Sequence, residues 1–599
     1  MLFYDFEVFK YDWLVVINNT DDKSSKVIVN EVDELRSFYN KHKKDIWVGY
    51  NSRNYDQWIL KALLCGFKAQ EMNNWIIKEG KSPYDFSSLL QEIELFNYDT
   101  QIRMDRSLKQ LEGFMGSNIK ESSIPFDIQR PLTEEEILET IKYCTHDVEQ
   151  TMLVFAHSID EFNAHIGLLN AFKLPMRDLN KTKAQLSAKI LGARKIERND
   201  EFDLHIVPYI QLSKYRYVQK WYENLIEEVM RDEELQEKLY LDDDFKKQWY
   251  KEHKLVTDIM GVKHTFAFGG LHGALPKYVS KGFLVNSDVR SYYPSEMIEY
   301  NFLSRNVAEP KRFTDIYNYR IQLKKEGKKK EQQPYKIVLN GTYGASKAKF
   351  NQLYDPRQAN NVCMNGQLML LDLIEHVEKA IPNVKLVQSN TDGVMFELPD
   401  PKWYDIYVSV CDDWTKRTRM ILEHDRIKLV IQKDVNNYCI IIDKGDGKEK
   451  IKSKGSWLKE RSVLDYDVPI LYKALLDYFM NDIPVEKTIN ECNDLIEFQQ
   501  IVKVSNKYKC AAYAKQREDK TLYECEYFPE KVYRVFASKY RLDKGLFKIK
   551  PDGSVAKFAG TSPRVFIDNS NIIGKKVPRR LDKNFYINLL KERIKAFNC

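Results

Sequence analysis

The chain has 599 residues, 43% hydrophobic and 30% charged, with 93 Lys plus Arg against 87 Asp plus Glu for a net charge of only +6. At roughly 150 residues per domain this amounts to about four domains, and the composition excludes collagen-like, mucin-like, disordered and disulfide-scaffold classes. So near a balance, a polyanionic partner requires the positive charge to be concentrated in one place.

LFYDFEVF and WLVVIN read as strands, DIWVGYN as another, and YDQWILKALLCGF as a helix entered from it. EEEILETIKYCTHDVEQTMLVFAHSI reads as a long helix with acidic early turns. This alternation predicts an α/β domain around a mixed sheet. Residues 151–260 read as mostly helical, and the charge-dense EEVMRDEELQEKLYLDDDFKKQWYKE as a solvated connector. A lysine-rich hairpin follows at 320–349, then a helix, then the strand-turn-strand KLVQSNTDGVMFEL. The last 200 residues mix short strands and helices without a repeat. The nine cysteines, Cys599 included, are scattered and never in a C-x-x-C pair, so free thiols in a reducing compartment are expected. With no signal peptide and no run of ~18 apolar residues, the expectation is a soluble cytoplasmic protein without a membrane partner.

Two sets of carboxylates carry chemistry. Asp5 and Glu7 lie two apart on a strand and face the same way. Asp56, in NSRNYD, follows a strand where a helix begins, and Tyr143 and Asp147 are four apart on one helix face. Four acids brought together repel one another unless they hold divalent cations, and two Mg²⁺ ions so held can activate water against a phosphodiester. The second set is Asp288 in DVRSYYPS and Asp392 at the turn SNTDG. Between them Lys336, Asn340 and Tyr343 fall at i, i+4 and i+7 of one helix, giving a cation, an amide and an aromatic on one face suited to a nucleotide.

These motifs, in this order, resemble family B DNA polymerases with a 3′–5′ proofreading exonuclease. Asp5 and Glu7, then Asp56, then Tyr143 with Asp147 match the exonuclease motifs. Asn51, Ser107 and Leu108 match residues that hold a single-stranded 3′ end, although Ser107 reads equally as a helix N-cap. DVRSYYPS is similar to motif A, with Tyr292 in place of Leu, and KIVLNGTYG to motif B, with Gly341 in place of Ser. Motif C carries Asn390 where the family has Asp, which removes one negative charge. Asn390 reads as a tolerated variant, the alternatives being a decayed polymerase site in a DNA-binding replication protein or an engineered inactivation.

The resemblance implies a multidomain α/β and α+β fold, a DnaQ/RNase H-like exonuclease plus a right-hand polymerase. Its expected parts are the exonuclease at 1–155, a helical connector at 156–262, palm at 263–306 and 353–460, fingers at 307–352, and thumb with C-terminal DNA-binding region at 461–599. It implies two Mg²⁺ (or Mn²⁺) ions per site, held by Asp5, Glu7, Asp56 and Asp147 in one and by Asp288, the Val289 carbonyl and Asp392 in the other. For dNTP it implies Tyr293, Lys336, Asn340 and Tyr343, with Lys324 as a second triphosphate ligand, and for the primer terminus Tyr438, Lys452 and Lys454. Partners would be primer-template DNA, a single-stranded 3′ end and other replication proteins. Only 48 residues separate Asp288 from Lys336 and 45 separate Gly344 from Ser389. These gaps are too short for both insertions of protein-primed phage polymerases, so a compact phage-type or mobile-element enzyme extending an oligonucleotide primer is expected, with protein priming as the alternative. Residues 320–349 hold nine basic and two acidic residues, and 541–595 fourteen and five, interleaved with Phe547, Phe558, Phe566 and Phe585. The 541–595 stretch is expected to contact duplex phosphates, whereas 320–349 takes the position of the fingers, with its KEGKKKE part expected as the solvated tip of a helical hairpin.

Overall fold

The computed structural model describes residues 1–101 and 103–597, so Cys599 lies outside the described residues. The chain forms two compact units, one of Met1–Asn180 with Arg461–Lys591, the other of Lys181–Glu460 with the residues from Glu592 onward. Among the described residues no helix is long and apolar enough to cross a membrane, and the eight cysteines are free thiols.

The first unit opens with strands β1 (Leu2–Val8), β2 (Trp13–Asn19), β3 (Ser25–Val29), β4 (Ile46–Gly49) and β5 (Phe96–Asp99), in sheet order β3-β2-β1-β4-β5. β1 pairs antiparallel with β2 and parallel with β4. Near-continuous burial of β1, from Leu2 to Val8, reflects a strand covered on both faces, which is why it reads as an apolar run rather than an alternation. The Tyr4 and Phe6 side packs with Trp13, Trp47 and Trp58. On the other side Phe3 meets Phe155 edge-on, from the helix Glu134–His157, whose start is fixed by Thr133 and Glu136 as a reciprocal capping box.

The second unit is built on a ten-stranded sheet: β6 (Leu255–Ile259), β7 (Val262–Phe266), β8 (His272–Ala274), β9 (Tyr278–Ser280), β10 (Phe283–Val289), β11 (Lys385–Asn390), β12 (Gly393–Leu398), β13 (Leu422–Asp434), β14 (Asn437–Asp443) and β15 (Glu449–Lys454). β10 lies between β12 and β13, antiparallel to both. One face is covered by the helix Pro356–Ala380, whose residues Met364 to Val377 join the largest core. The helices Pro310–Lys325 and Gln333–Lys347 form the lysine-rich hairpin.

Three features differ from the sequence reading. β6 and the first residue of β7 fall within the stretch expected to be a helical connector. The charge-dense segment is not merely solvated: Val229, Leu239 and Trp249 bury one stripe against Phe202 and Leu225, so its charges occupy only the outer faces. The C-terminal aromatics Phe547, Phe558 and Phe566 are buried core rather than exposed between the basic residues.

The C-terminal segment of the first unit contains β16 (Gln500–Lys503), β19 (Val532–Ala537) and β22 (Val565–Ile567) as one sheet, and β17 (Cys510–Gln516), β18 (Leu522–Phe528), β20 (Gly545–Ile549) and β21 (Val555–Lys557) as another. It is joined to the N-terminal residues by the packing of Ile501 and Val532 on Leu111 and Phe114 and by Arg534. This fully buried guanidinium donates to the carbonyls of Gly113 at 3.1 Å, Ser117 at 2.7 Å, Asp568 at 3.1 Å and Ser570 at 2.6 Å, and to Gln499 Oε1 at 2.9 Å. Burial lowers its pKa to about 10. Five acceptors around one cation replace its lost hydration. Arg534→Met would orphan them all and is expected to destabilise the first unit by at least about 3 kcal/mol, read as an earlier thermal or urea transition; an unchanged midpoint would rule out this role.

Candidate functional site

The structure brings Asp5, Glu7, Asp56 and Asp147 together. Asp5 and Glu7 share the β1 face that the Glu134–His157 helix covers, and the Asp56 carboxylate accepts the Phe6 N–H at 3.1 Å. The ligand atoms of Asp5, Glu7 and Cys144 lie within 4.8 Å of one another. Burial, then the neighbouring acids, push Asp5 and Glu7 well above the usual carboxylate range. Burial likewise raises Asp147, and it pushes Asp56 up to about 7. The Cys144 thiol, raised by burial and by Asp5, stays protonated and donates to the Asp5 carbonyl at 3.3 Å. The available donors are thus carboxylate oxygens, the set that suits Mg²⁺ or Mn²⁺.

Sequence reasoning missed Lys109. Its ammonium pairs with Asp147, lies 3.1 Å from Glu112 Oε1 and sits 4.5 Å over the Tyr143 ring. Burial alone would lower its pKa, but Asp147 and Glu112 hold it above the ordinary lysine value. The signal was present in SLKQLE: Ser107 is the N-cap, its N–H donating to Gln110 Oε1 at 3.2 Å, and this cap fixes the helix Leu108–Phe114 that carries Lys109 and Glu112. Leu108 packs against the cluster of Leu111 and Phe114. Asp99 was missed as well; it accepts the N–H groups of Asn51 at 2.9 Å and Arg53 at 3.1 Å and so shapes the turn before Asp56. Asn51 adopts φ 60° there. Burial, followed by the nearby Asp147 carboxylate, raises the Tyr143 hydroxyl.

The raised acids make a pH prediction. An acid whose pKa is higher folded than unfolded costs stability as it ionises, so without cations stability falls as pH rises from about 3.9, the unfolded value, towards the folded value near 7 for Asp56. Bound cations reverse the cost. Mg²⁺ or Mn²⁺ added to chelator-treated protein is therefore expected to raise Tm, and to raise it more at pH 8 than at pH 6; an equal shift at both would contradict it.

In the second unit, Asp288 on β10 stands opposite Gly393 of β12 and Glu423 of β13. β11 and β12 form a hairpin with Thr391 and Asp392 at its tip, and the Val289 N–H donates to the Asp392 carbonyl at 2.6 Å. Gly393 is required: a Cβ there would lie 2.2 Å from Asp288 Oδ1. Burial of its carboxyl, and then Asp288, raise Asp392. Lys452 Nζ is 3.7 Å from Asp288 Oδ2, and Asp288, Tyr438 and Asp392 hold its pKa up against burial. Tyr438 lies opposite Lys454 across β14 and β15, and burial raises its hydroxyl pKa while the nearby Lys452 and Asn390 side chains act against that rise. The substituted amide thus lies near the Tyr438 side chain, beside the acids.

Beside Asp392 a cleft of about 340 Å³ is lined by Tyr293, Arg320, Lys336, Asn340 and Tyr343, among others. Lys336, Asn340 and Tyr343 do share one face of the helix Gln333–Lys347. Gly341 in place of Ser lets that helix approach the helix Lys183–Ile190, since a Cβ would sit 3.0 Å from Ser187 Oγ. Tyr343 packs on Tyr293 with ring centroids 4.3 Å apart. Ser291 adopts φ 48° at the start of the helix Tyr292–Glu299 and accepts a hydrogen bond from Arg320 at 2.6 Å. Lys324 differs from expectation. It does not line this cleft, and its Nζ pairs with Glu423 at 3.0 Å. Arg320, one turn earlier on the same helix, faces the cleft instead.

No known family model matches the chain, and no curated protein does. Among solved structures it is similar to the family B DNA polymerase from the hyperthermophilic archaeon Pyrobaculum calidifontis. That match is 14% identical, covers 100% of this chain and 77% of the other, and has a TM-score of 0.41. At that overlap the likeness carries no functional weight.

Proposed function

We propose that the chain is a template-directed DNA polymerase of family B type, adding dNTPs to a primer 3′-OH, with a separate 3′–5′ exonuclease site for proofreading. The observation that carries the reading is the pairing of Asp288 with the hairpin-tip Asp392, across a glycine whose side chain could not be larger, beside a cleft holding Lys336, Arg320 and Tyr343.

Asp288 and Asp392 would hold two Mg²⁺ ions, which when bound activate the 3′-OH and stabilise the leaving pyrophosphate. Lys336 and Arg320 bind triphosphate oxygens, Arg320 by its planar fork. Tyr343 supports the base and sugar, and Tyr293 packed upon it blocks a ribose 2′-OH. Lys452 and Tyr438 meet the primer terminus. Asn390, neutral, leaves two carboxylates to balance the metal charge.

In the first unit Asp5, Glu7, Asp56 and Asp147 would hold a second metal pair. Tyr143 orients the attacking water, Lys109 steadies Asp147 and the developing phosphate charge, and Asn51, Ser107 and Leu108 guide the unpaired end. Motif spacing supports a compact phage-type enzyme that extends an oligonucleotide primer on template DNA.

A 5′-labelled primer on a longer template should lengthen to the template end with Mg²⁺ and four dNTPs and shorten without dNTPs. Absence of lengthening would overturn the polymerase reading, and absence of shortening the exonuclease reading.

A further inference from the structure

Cys363 stands on the helix Pro356–Ala380 and is fully buried. A buried cysteine ordinarily behaves as a small apolar filler, yet two polar groups of the helix Gln333–Lys347 converge on this sulfur. The Tyr343 hydroxyl is hydrogen-bonded to it, and Lys347 Nζ lies 3.1 Å away. Burial, and then Cys363, push that hydroxyl well above the ordinary phenol range, so it stays protonated and able to donate. Lys347, four residues after Tyr343 and therefore on the same helix face, also donates to the Phe268 carbonyl at 3.1 Å and sits 5.3 Å over the Tyr343 ring. An ammonium only donates, so the sulfur accepts from Lys347 and is held in place beside the tyrosine.

The helix that carries Cys363 secures a second tyrosine. Three residues on, the Gly366 carbonyl accepts the Tyr292 hydroxyl at 2.8 Å. A Cβ at Gly366 would lie 2.8 Å from the buried Glu296 Oε1 and 3.5 Å from Tyr292 Cε1, so the bare glycine gives the two helices their close approach. Tyr293 neighbours both anchored rings, 6.1 Å from Tyr292 with planes 26° apart and 4.3 Å from Tyr343. Tyr293 and Tyr343 line the cleft beside Asp392, and Cys363 lies behind them. Of the two supports the Tyr343 ring is the closer, and its anchor is the sulfur. A phenol ring swings about its side-chain torsions, and a bond at the far end of the ring stops that swing.

We propose that Cys363 is a positioning residue for sugar selection: by holding the Tyr343 hydroxyl it fixes the ring that backs Tyr293, and so sets the room left at the 2′ carbon of the incoming nucleotide. The inference rests on the polymerase reading and adds to the gate a support that never touches the substrate. Without the bond the Tyr343 ring tilts, Tyr293 recedes and a ribose 2′-OH enters.

The test is insertion of one nucleotide by the full chain, with kcat and KM measured for a dNTP and for the rNTP of the same base. Cys363→Ala is expected to lower the dNTP-to-rNTP ratio of kcat/KM about 3- to 10-fold, the worth of one hydrogen bond, through a lower KM for rNTP. A purely structural loss would slow both sugars alike and leave the ratio where it was. Cys363→Ser, which keeps a partner for the hydroxyl, should keep the wild-type ratio. Tyr343→Phe removes the other end of the same bond and should lower the ratio by a similar factor, with no further fall when Cys363→Ala is added. Three results would each overturn the role of Cys363 alone: an unchanged ratio in Cys363→Ala, a Cys363→Ser ratio as low as that of Cys363→Ala, or additive losses in the double variant. A wild type that uses both sugars equally removes the gate as well, and one that extends with neither removes the polymerase reading.

Discussion

Asp392→Asn is expected to abolish primer extension, a loss of about 10³-fold or more, while 3′–5′ digestion of single-stranded DNA continues at the wild-type rate. The substitution keeps the size of the side chain and removes its charge. Asp392 sits at the tip of the β11–β12 hairpin, and its backbone carbonyl already accepts the Val289 N–H; that bond survives, so the hairpin should keep its place. What disappears is one of two carboxylates able to hold cations against the primer and the triphosphate, worth several kcal/mol in the transition state. The nearby Asn390 is already neutral, so no second acid on the hairpin can substitute. Steady-state extension by gel, beside digestion by the same preparation, measures both effects. Equal loss of the two activities would mean misfolding or one shared site.

The reciprocal variant, Asp5→Ala with Glu7→Ala, is expected to remove digestion by a similar factor and leave extension intact. Both side chains face the Asp147 side of β1, and their charge is strongly disfavoured there by burial and by one another. Removing them relieves that repulsion, so the variant should fold at least as well as wild type and show a smaller thermal shift with Mg²⁺. A lost Tm with retained digestion would reverse the assignment, making these acids structural.

How much of this was legible differs by residue. Asp5 with Glu7, Tyr143 with Asp147, and Lys336 with Asn340 and Tyr343 were readable because strand and helix periods place each set on one face. Asp392 was readable because two apolar runs around NTDG specify a hairpin. Gly393 and Gly341 could not be interpreted from sequence, since the reason for each is an atom on another element: Asp288 Oδ1 for one, Ser187 Oγ for the other. Lys109 stood within a quoted motif, but its partner Asp147 lies 38 residues away. Arg320 rather than Lys324 faces the cleft because Glu423, on a strand far along the chain, draws Lys324 away. The largest departure, the C-terminal segment folding with the first 180 residues, involves Arg534 reaching carbonyls more than 400 positions earlier and Ile501 and Val532 packing on Leu111 and Phe114. No local periodicity encodes a contact of that range. Composition suggested instead a basic, aromatic surface where the aromatics are core.

The central claim is that one chain carries two separate sites that act on the same primer end. It is tested most directly by following a labelled dNTP on a primer-template that permits only that nucleotide to be added. Wild type should convert the dNTP steadily to dNMP through repeated addition and removal, and both Asp392→Asn and Asp5→Ala with Glu7→Ala should stop the conversion. Continued dNMP release from either variant at the wild-type rate would contradict the account.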